Sequence, residues 1–145
     1  MQQVTIDVYN WNFVSIEQVN GVNIGIDNEN TKVYYIDDYF HREDGPAIEY
    51  ADGTKHWYIN GHLHREDSPA VESSNGYKEW WINEKRHRKD GPAIEHPNGY
   101  KEWWINGKRH REDGPAVEYR NGKCEYWLNG IKQDVNPICK TKRAK

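Results

Sequence analysis

The amino-acid sequence predicts an all-β protein, an elongated single antiparallel β-meander built from 23-residue hairpin repeats. The motif His-Arg-x-Asp-(Gly/Ser)-Pro-Ala occurs four times at a constant interval of 23 residues. A fixed period of this length is the signature of a repeat architecture. Asn-Gly and Asp-Gly pairs recur within the same period, as hairpin turns require. No segment has the apolar period of an amphipathic helix, and Gly or Pro every few residues also disfavours helices.

Each repeat contains two predicted strands, of which the first follows the proline of the motif and the second carries two adjacent aromatic residues. The first strands are predicted at Pro46–Tyr50, Pro69–Ser73, Pro92–His96 and Pro115–Tyr119. The second strands are predicted at Lys55–Ile59, Lys78–Ile82, Lys101–Ile105 and Cys124–Leu128. Type I′ turns are expected at the Asn-Gly and Asp-Gly pairs between and after these strands, because both central residues of such a turn have positive φ. Asn83-Glu84 lacks the glycine and predicts a looser turn.

The period divides the chain into three parts. Residues 32–132 hold the repeats, and residues 1–31 are predicted to form an N-terminal cap or degenerate repeat, since terminal repeats are usually atypical. A further copy of the motif would begin at Gln133, where the pattern ends. Residues 133–145 are therefore predicted to be a basic C-terminal tail, with cations at Lys140, Lys142, Arg143 and Lys145.

The composition favours a thin sheet with an aromatic core. Apolar residues make up 35% of the chain, below the roughly 45–50% of an ordinary globular protein. Seven Trp and ten Tyr compensate, because each large ring buries about 150–250 Å². No apolar run is long enough to span a membrane, and no secretion signal is recognisable at the N-terminus. The two cysteines suit neither a disulfide scaffold nor a metal site, so reduced thiols and a cytoplasmic location are expected, in the host cytoplasm if the protein is viral.

Aromatic residues at successive positions of the second strand point to opposite faces of the sheet, so each face carries an aromatic column. Such columns ordinarily stabilise a sheet through cross-strand pairs. An exposed column is also suited to binding a partner, because Trp, Tyr and Arg dominate interface hot spots. The residues predicted to bind a protein partner are Tyr58, Trp81, Trp104, Trp127, Arg86 and Arg109.

The repeated His, Arg and Asp side chains are predicted to hold the hairpins together. Arg and Asp in a tight loop can form an ion pair, and the His can bond the adjacent turn. Catalysis is not expected, because four evenly spread copies do not form one pocket. A metal site is not expected either, because equivalent histidines about 10 Å apart cannot share an ion. This structural set comprises His41, Arg42, Asp44, His64, Arg65, Asp67, His87, Arg88, Asp90, His110, Arg111 and Asp113.

The repeat unit resembles a known family. The stretch Tyr100–Gly122, with the sequence YKEWWINGKRHREDGPAVEYRNG, resembles a MORN repeat, which opens on Tyr, continues through an aromatic residue and Asn-Gly-Lys-x-His, and closes on Gly. It is more similar to a variant with His-Arg-x-Asp-Gly-Pro-Ala units from bacteria, their phages and large viruses. The similarity covers about residues 32–132. Typical MORN units have Gly-x-Gly where this chain has Arg111–Pro115.

Two functions remain open from the sequence. The resemblance implies a non-enzymatic protein-binding module or scaffold, such as a phage-encoded inhibitor that docks on a host protein complex. The alternative is a small-ligand protein that holds a nucleotide between Trp and Arg. Open sheet edges and oppositely charged ends also make a homo-oligomer plausible. A net charge of −3 argues against nucleic acid, and no cofactor is expected.

Overall fold

The computed structural model describes residues 10–135 and Cys139, and over these residues it confirms the predicted all-β meander. The chain begins with four strands, β1 (Phe13–Val19), β2 (Val22–Asp27), β3 (Lys32–Ile36) and β4 (Tyr39–Phe40). Sixteen two-residue strands follow: β5 (Ile48–Glu49), β6 (Lys55–His56), β7 (Tyr58–Ile59), β8 (His62–Leu63), β9 (Val71–Glu72), β10 (Lys78–Glu79), β11 (Trp81–Ile82), β12 (Lys85–Arg86), β13 (Ile94–Glu95), β14 (Lys101–Glu102), β15 (Trp104–Ile105), β16 (Lys108–Arg109), β17 (Val117–Glu118), β18 (Cys124–Glu125), β19 (Trp127–Leu128) and β20 (Ile131–Lys132).

One antiparallel sheet runs the length of the array. Its strand order is β1-β2-β3-β5-β6-β9-β10-β13-β14-β17-β18, with β4 paired to β3. Every pair in it is antiparallel, as an up-and-down meander requires. The remaining strands form small hairpins that leave the main sheet, namely β7-β8, β11-β12, β15-β16 and β19-β20.

The second strand of each repeat is shorter than predicted, because it breaks at its first aromatic residue. The Trp57 N–H donates to Ala70 O at 2.8 Å, while the Trp57 carbonyl accepts from His64 N at 3.1 Å. The backbone thus leaves the main ladder at Trp57 and pairs afterwards within its own repeat. The strands beginning at His62, Lys85, Lys108 and Ile131 complete these hairpins, and the sequence pattern did not predict them.

The two kinds of turn in each repeat differ. In the small hairpins both central residues have positive φ, including Asn83 (46°) and Glu84 (63°), so the prediction of a looser turn there was wrong. Between the main-sheet strands only the glycine has positive φ, as at Gly53 (91°). There the Asp52 carboxylate accepts from Thr54 N at 2.8 Å, and Gly53 N donates to Tyr50 O at 3.0 Å. This geometry is a type I turn followed by a left-handed glycine, not the predicted type I′ turn.

A line of alanines forms the narrow centre of the repeats. Ala47, Ala70, Ala93 and Ala116 are all completely buried. Each alanine N–H donates to a carbonyl of the following strand, and each alanine carbonyl accepts from an aromatic residue, as Ala93 O does from Trp80 N at 2.8 Å. The backbone of each alanine is therefore bonded to the chain on both sides of it.

A larger apolar cluster lies where the predicted N-terminal cap meets the first repeat. Val33, Tyr35, Phe40 and Ile48 are buried there, and partly buried aromatic rings pack against them. The Phe13 ring stacks on Tyr35 with centroids 5.8 Å apart. Gly25 allows this contact, since a Cβ atom at that position would lie 2.5 Å from the Phe13 ring.

Cys124 and Cys139 form a disulfide, with their Cα atoms 5.8 Å apart. The expectation of reduced thiols was therefore wrong. Cys139 lies 23 residues after Ala116, at the alanine position of a further repeat, which places it against the last strand of the sheet. The tail cations at 140, 142, 143 and 145 lie outside the described residues. Among the residues described, no helix has the length and apolar character needed to cross a bilayer.

Candidate functional site

The first candidate surface is the loop face, formed by the four His-Arg-x-Asp loops and the aromatic residues beneath them. In the third copy the Arg88 guanidinium lies 3.8 Å above the Trp80 ring centroid. Its Nη1 donates to Pro92 O at 3.0 Å and to Glu95 Oε1 at 2.9 Å. Its Nε donates to Asp90 Oδ1 at 3.2 Å. Arg88 thus links its loop to the following strand, through Glu95, and to the ring of Trp80, which precedes the loop.

The same arrangement recurs along the array. Arg42, Arg65 and Arg111 lie 3.9, 3.8 and 3.9 Å above the rings of Tyr34, Trp57 and Trp103. All four arginines bond the loop proline carbonyl and a strand glutamate. These contacts stabilise the repeat, which explains why the Arg and the strand Glu recur at the same interval. The hydrogen bond from Arg42 also lowers the pKa of the Asp44 carboxyl below its ordinary value.

The motif histidines join neighbouring repeats. Nδ1 of His41 accepts the backbone N–H of Asn60 at 3.0 Å, and His87 and His110 accept from Asn106 and Asn129 at the same distance. His64 accepts from Asn83 at 3.2 Å. Because Nδ1 is the acceptor, the neutral ring carries its proton on Nε2. Each His therefore fixes the hairpin turn of the next repeat.

The second repeat departs from this pattern. Ser68 stands where the other copies have Gly45, Gly91 or Gly114. A Cβ atom at Gly91 would lie 2.9 Å from the Arg88 guanidinium carbon, so the arginine must move where a side chain is present. Over residues 10–135, Arg65 keeps its bonds to Pro69 and Glu72, but no bond joins it to Asp67. The serine therefore accounts for the missing Arg-Asp contact.

Exchanging the two residue types should transfer this difference. We expect Ser68→Gly to raise the melting temperature, because Arg65 can then reach Asp67. We expect Gly91→Ser to lower it, through the close approach to Arg88. The effect should be about 1 kcal/mol in each direction, the usual size for one hydrogen bond. Chemical denaturation of both variants measures it, and a loss of stability in Ser68→Gly would contradict the role assigned to the serine.

The second candidate surface is the hairpin face, formed by the side of the small hairpins that carries Trp81, Trp104 and Trp127. Its centre is a glutamate column that was not predicted: Glu79, Glu102 and Glu125. Glu102 is 6% exposed and accepts from Arg109 Nε at 2.7 Å, from Trp104 Nε1 at 2.8 Å, and from the Tyr100 hydroxyl. Burial opposes ionisation of Glu102, but these donors outweigh it and lower its pKa. Burial, together with the bond to Glu102, raises the pKa of Tyr100 above its ordinary value.

Trp and Arg side chains alternate above this glutamate column. The Arg86 guanidinium lies 4.7 Å from the Trp81 ring centroid and 5.4 Å from that of Trp104. Arg109 lies 5.4 Å from Trp104 and 5.1 Å from Trp127. The five residues form a Trp/Arg ladder across the last three hairpins, and its arginine side chains are about one-third exposed. Five of the six residues predicted to bind a partner thus lie side by side.

Tyr58, the sixth predicted residue, is placed differently. Its ring centroid lies 5.1 Å from that of Phe40, and it packs against the apolar N-terminal cluster. Burial, with smaller contributions from Tyr50 and Glu84, raises the pKa of Tyr58 to about 12. Its repeat has His56 and Leu63 where later repeats have Glu and either Arg or Lys. The ladder therefore begins only at Trp81.

Comparisons with known proteins found no match: no protein-family model, no curated protein and no solved structure matches the chain. Among the described residues, no cluster of three or more His, Cys, Asp or Glu side chains could hold a metal ion.

Proposed function

We propose that this protein is a non-enzymatic protein-binding repeat module whose binding surface is the hairpin face. Its contact residues are Trp81, Trp104, Trp127, Arg86 and Arg109. Tyr58 supports the start of this surface from the apolar cluster and does not itself carry the contact. The MORN-like assignment and the phage-inhibitor role stay predictions.

The observation that carries this proposal is the way the Trp/Arg ladder is satisfied from beneath. The indole N–H groups of Trp81, Trp104 and Trp127 donate to the glutamate column at 2.6, 2.8 and 2.8 Å. Because their polar atoms face inwards, the rings are held in fixed positions with their apolar surfaces available. A rigid row of aromatic rings loses little conformational entropy on binding, and Trp and Arg are the residues most enriched in interface hot spots.

The contacts of the ladder disfavour the nucleotide-binding alternative. A base stacked between Trp81 and Trp104 would have to displace the Arg86 guanidinium, which lies near both rings. Displacement would also break the 3.3 Å bond from Arg86 to Glu79. A protein surface can instead cover rings and guanidinium groups without separating them.

The test is affinity capture from a host lysate followed by mass spectrometry, using wild type and Trp104→Ala. Loss of a hot-spot residue should reduce the retained partner by at least about tenfold. Lys101→Gln is the matched control, since Lys101 lies in the same β14 region but is exposed on the other side of the sheet. Far-ultraviolet dichroism must show that both variants are folded. Equal retention by wild type and Trp104→Ala would reject the hairpin face as the binding surface.

A further inference from the structure

The loop face carries three clefts beside the His-Arg-x-Asp loops. One cleft, of about 910 Å³, has Trp80 and Ile82 at its base and the second and third loops as its walls. The next, of about 740 Å³, has Trp103 and Ile105 at the base and the third and fourth loops as walls. A smaller cleft of about 420 Å³ precedes the first loop. The two larger clefts therefore lie one repeat apart.

The tips of the loops that wall these clefts are predominantly acidic. The loop tips carry exposed neighbouring residues at the x and Asp positions of the motif: Glu43 and Asp44, Glu66 and Asp67, Lys89 and Asp90, and Glu112 and Asp113. The side chains of Glu43, Asp90 and Glu112 are 84%, 87% and 85% exposed. The motif arginines do not cancel this charge, because each is also bonded to a strand glutamate. Lys89 is the single cation among these eight residues.

The spacing of the clefts matches an extended polypeptide. Two main-sheet strands per repeat place equivalent loops about 10 Å apart. An extended chain in the polyproline II conformation advances about 3.1 Å per residue with three residues per turn, so every third side chain points the same way and reaches the next cleft. The apolar base of each cleft suits the methylene stem of a long cationic side chain, while the acidic wall suits its charged end.

We propose that the loop-face clefts bind an extended polypeptide segment with Lys or Arg at every third position. This inference rests on the proposed function in that the module binds proteins, but it uses the loop face and not the hairpin face. The Trp/Arg ladder is aromatic and its arginines are paired with Glu79 and Glu102, whereas the loop tips are anionic. One module thus offers two surfaces that select partners of different character.

Lys89 provides an internal control for the proposal. It occupies the x position of the third loop, where the other loops have glutamate. Lys89→Glu should therefore strengthen binding of a cationic segment, and Glu112→Lys should weaken it. Lys89 and Glu112 are both exposed, and neither bonds a motif arginine, so both variants should keep the fold.

The experiment is a fluorescence anisotropy titration with synthetic peptides of about twelve residues, long enough to span three or four loops. One peptide has Lys at every third position. The other has the same composition with its lysines in one block. We expect the first peptide to bind at least about fivefold more tightly, Lys89→Glu to gain about threefold and Glu112→Lys to lose about threefold, all reduced by added salt. Trp104→Ala should leave this binding unchanged.

Each other outcome would overturn the proposal. If neither peptide binds, the loop face does not bind a cationic segment. If both peptides bind equally, the attraction is non-specific and does not depend on the spacing of the lysines. Sedimentation velocity tests whether a second copy of the chain is the occupant, because it detects self-association. Self-association that responds to Lys89→Glu and Glu112→Lys, with no peptide binding, would make that copy the occupant. Since Trp104→Ala reports only on the hairpin face, failure here and failure of the proposed function are distinguishable.

Discussion

Replacing Arg88 with methionine should lower the free energy of unfolding by about 3 kcal/mol. The substitution keeps an unbranched side chain over Trp80 but removes the charge and every donor. Glu95 and the Pro92 carbonyl then lose their bonds at 2.9 and 3.0 Å. Removing one partner of a largely buried ion pair leaves the other uncompensated, which is costly. Arg88 is 22% exposed, so solvent replaces only part of the loss.

The second repeat supplies the matched control for Arg88. Arg65 stacks on Trp57 and bonds Glu72, but it is 31% exposed and has no bond to Asp67 over the described residues. Arg65→Met should therefore cost clearly less than Arg88→Met. Urea denaturation of both variants gives the comparison, with the slope of the transition showing whether both remain two-state. An equal or larger loss at Arg65 would contradict the argument that the loop bonds stabilise the repeat.

The fold was predictable because the sequence repeats its chemistry at a constant interval. Four copies of one motif and the Asx-Gly pairs were enough to indicate an antiparallel meander. The break at Trp57 was not predictable from alternation alone, because a five-residue run such as Lys55–Ile59 satisfies the strand pattern throughout. It arises from tertiary contacts: the Trp57 N–H bonds Ala70 and its carbonyl bonds His64.

The turn prediction failed for a related reason. Asp52-Gly53 and Asn60-Gly61 are both Asx-Gly pairs, yet of the two Asx residues only Asn60 has positive φ. In the first turn the Asp52 carboxylate accepts a backbone N–H two residues further on, which favours a type I turn. The dipeptide alone therefore does not determine the turn type, because the turn type also depends on the loop length that the flanking strands impose.

The candidate site was partly visible in the sequence. Trp81, Trp104 and Trp127 were found from their 23-residue interval, and the structure places them in one ladder. Glu79, Glu102 and Glu125 keep the same interval, so the period could have revealed them as well. Charged residues in strands are ordinarily solvated, so the pattern did not predict that these glutamates accept hydrogen bonds beneath the ladder. The disulfide had the same signal, because Cys139 continues the alanine column.

Glu102→Gln should lower the free energy of unfolding by about 2–3 kcal/mol. The carboxylate accepts from Arg109, Trp104 and Tyr100, whereas the amide has one oxygen and two donors of its own. At least one of these partners then faces a donor, and Arg109 loses its counter-charge. A group with three charge-assisted or buried bonds loses more than one ordinary hydrogen bond.

Glu125→Gln is the matched control for Glu102. Glu125 occupies the same position one repeat later, but it is 21% exposed and its cation, Lys132, is 56% exposed. We expect a loss of about 1 kcal/mol or less, in the range of solvent-accessible ion pairs. A comparable loss at both positions would show that burial of the carboxylate is not what makes the column stabilising.

Acid titration of stability separates the charge of Glu102 from its shape. Its pKa is lowered in the folded protein from an ordinary value of 4.5, so the unfolded chain binds the proton more readily. The stabilisation is complete above about pH 4.5 and is lost as the pH falls through the folded-state pKa. The melting temperature of wild type should therefore fall more steeply below that pH than that of Glu102→Gln. Parallel curves for the two proteins would mean that Glu102 contributes through packing and not through its ionised carboxylate.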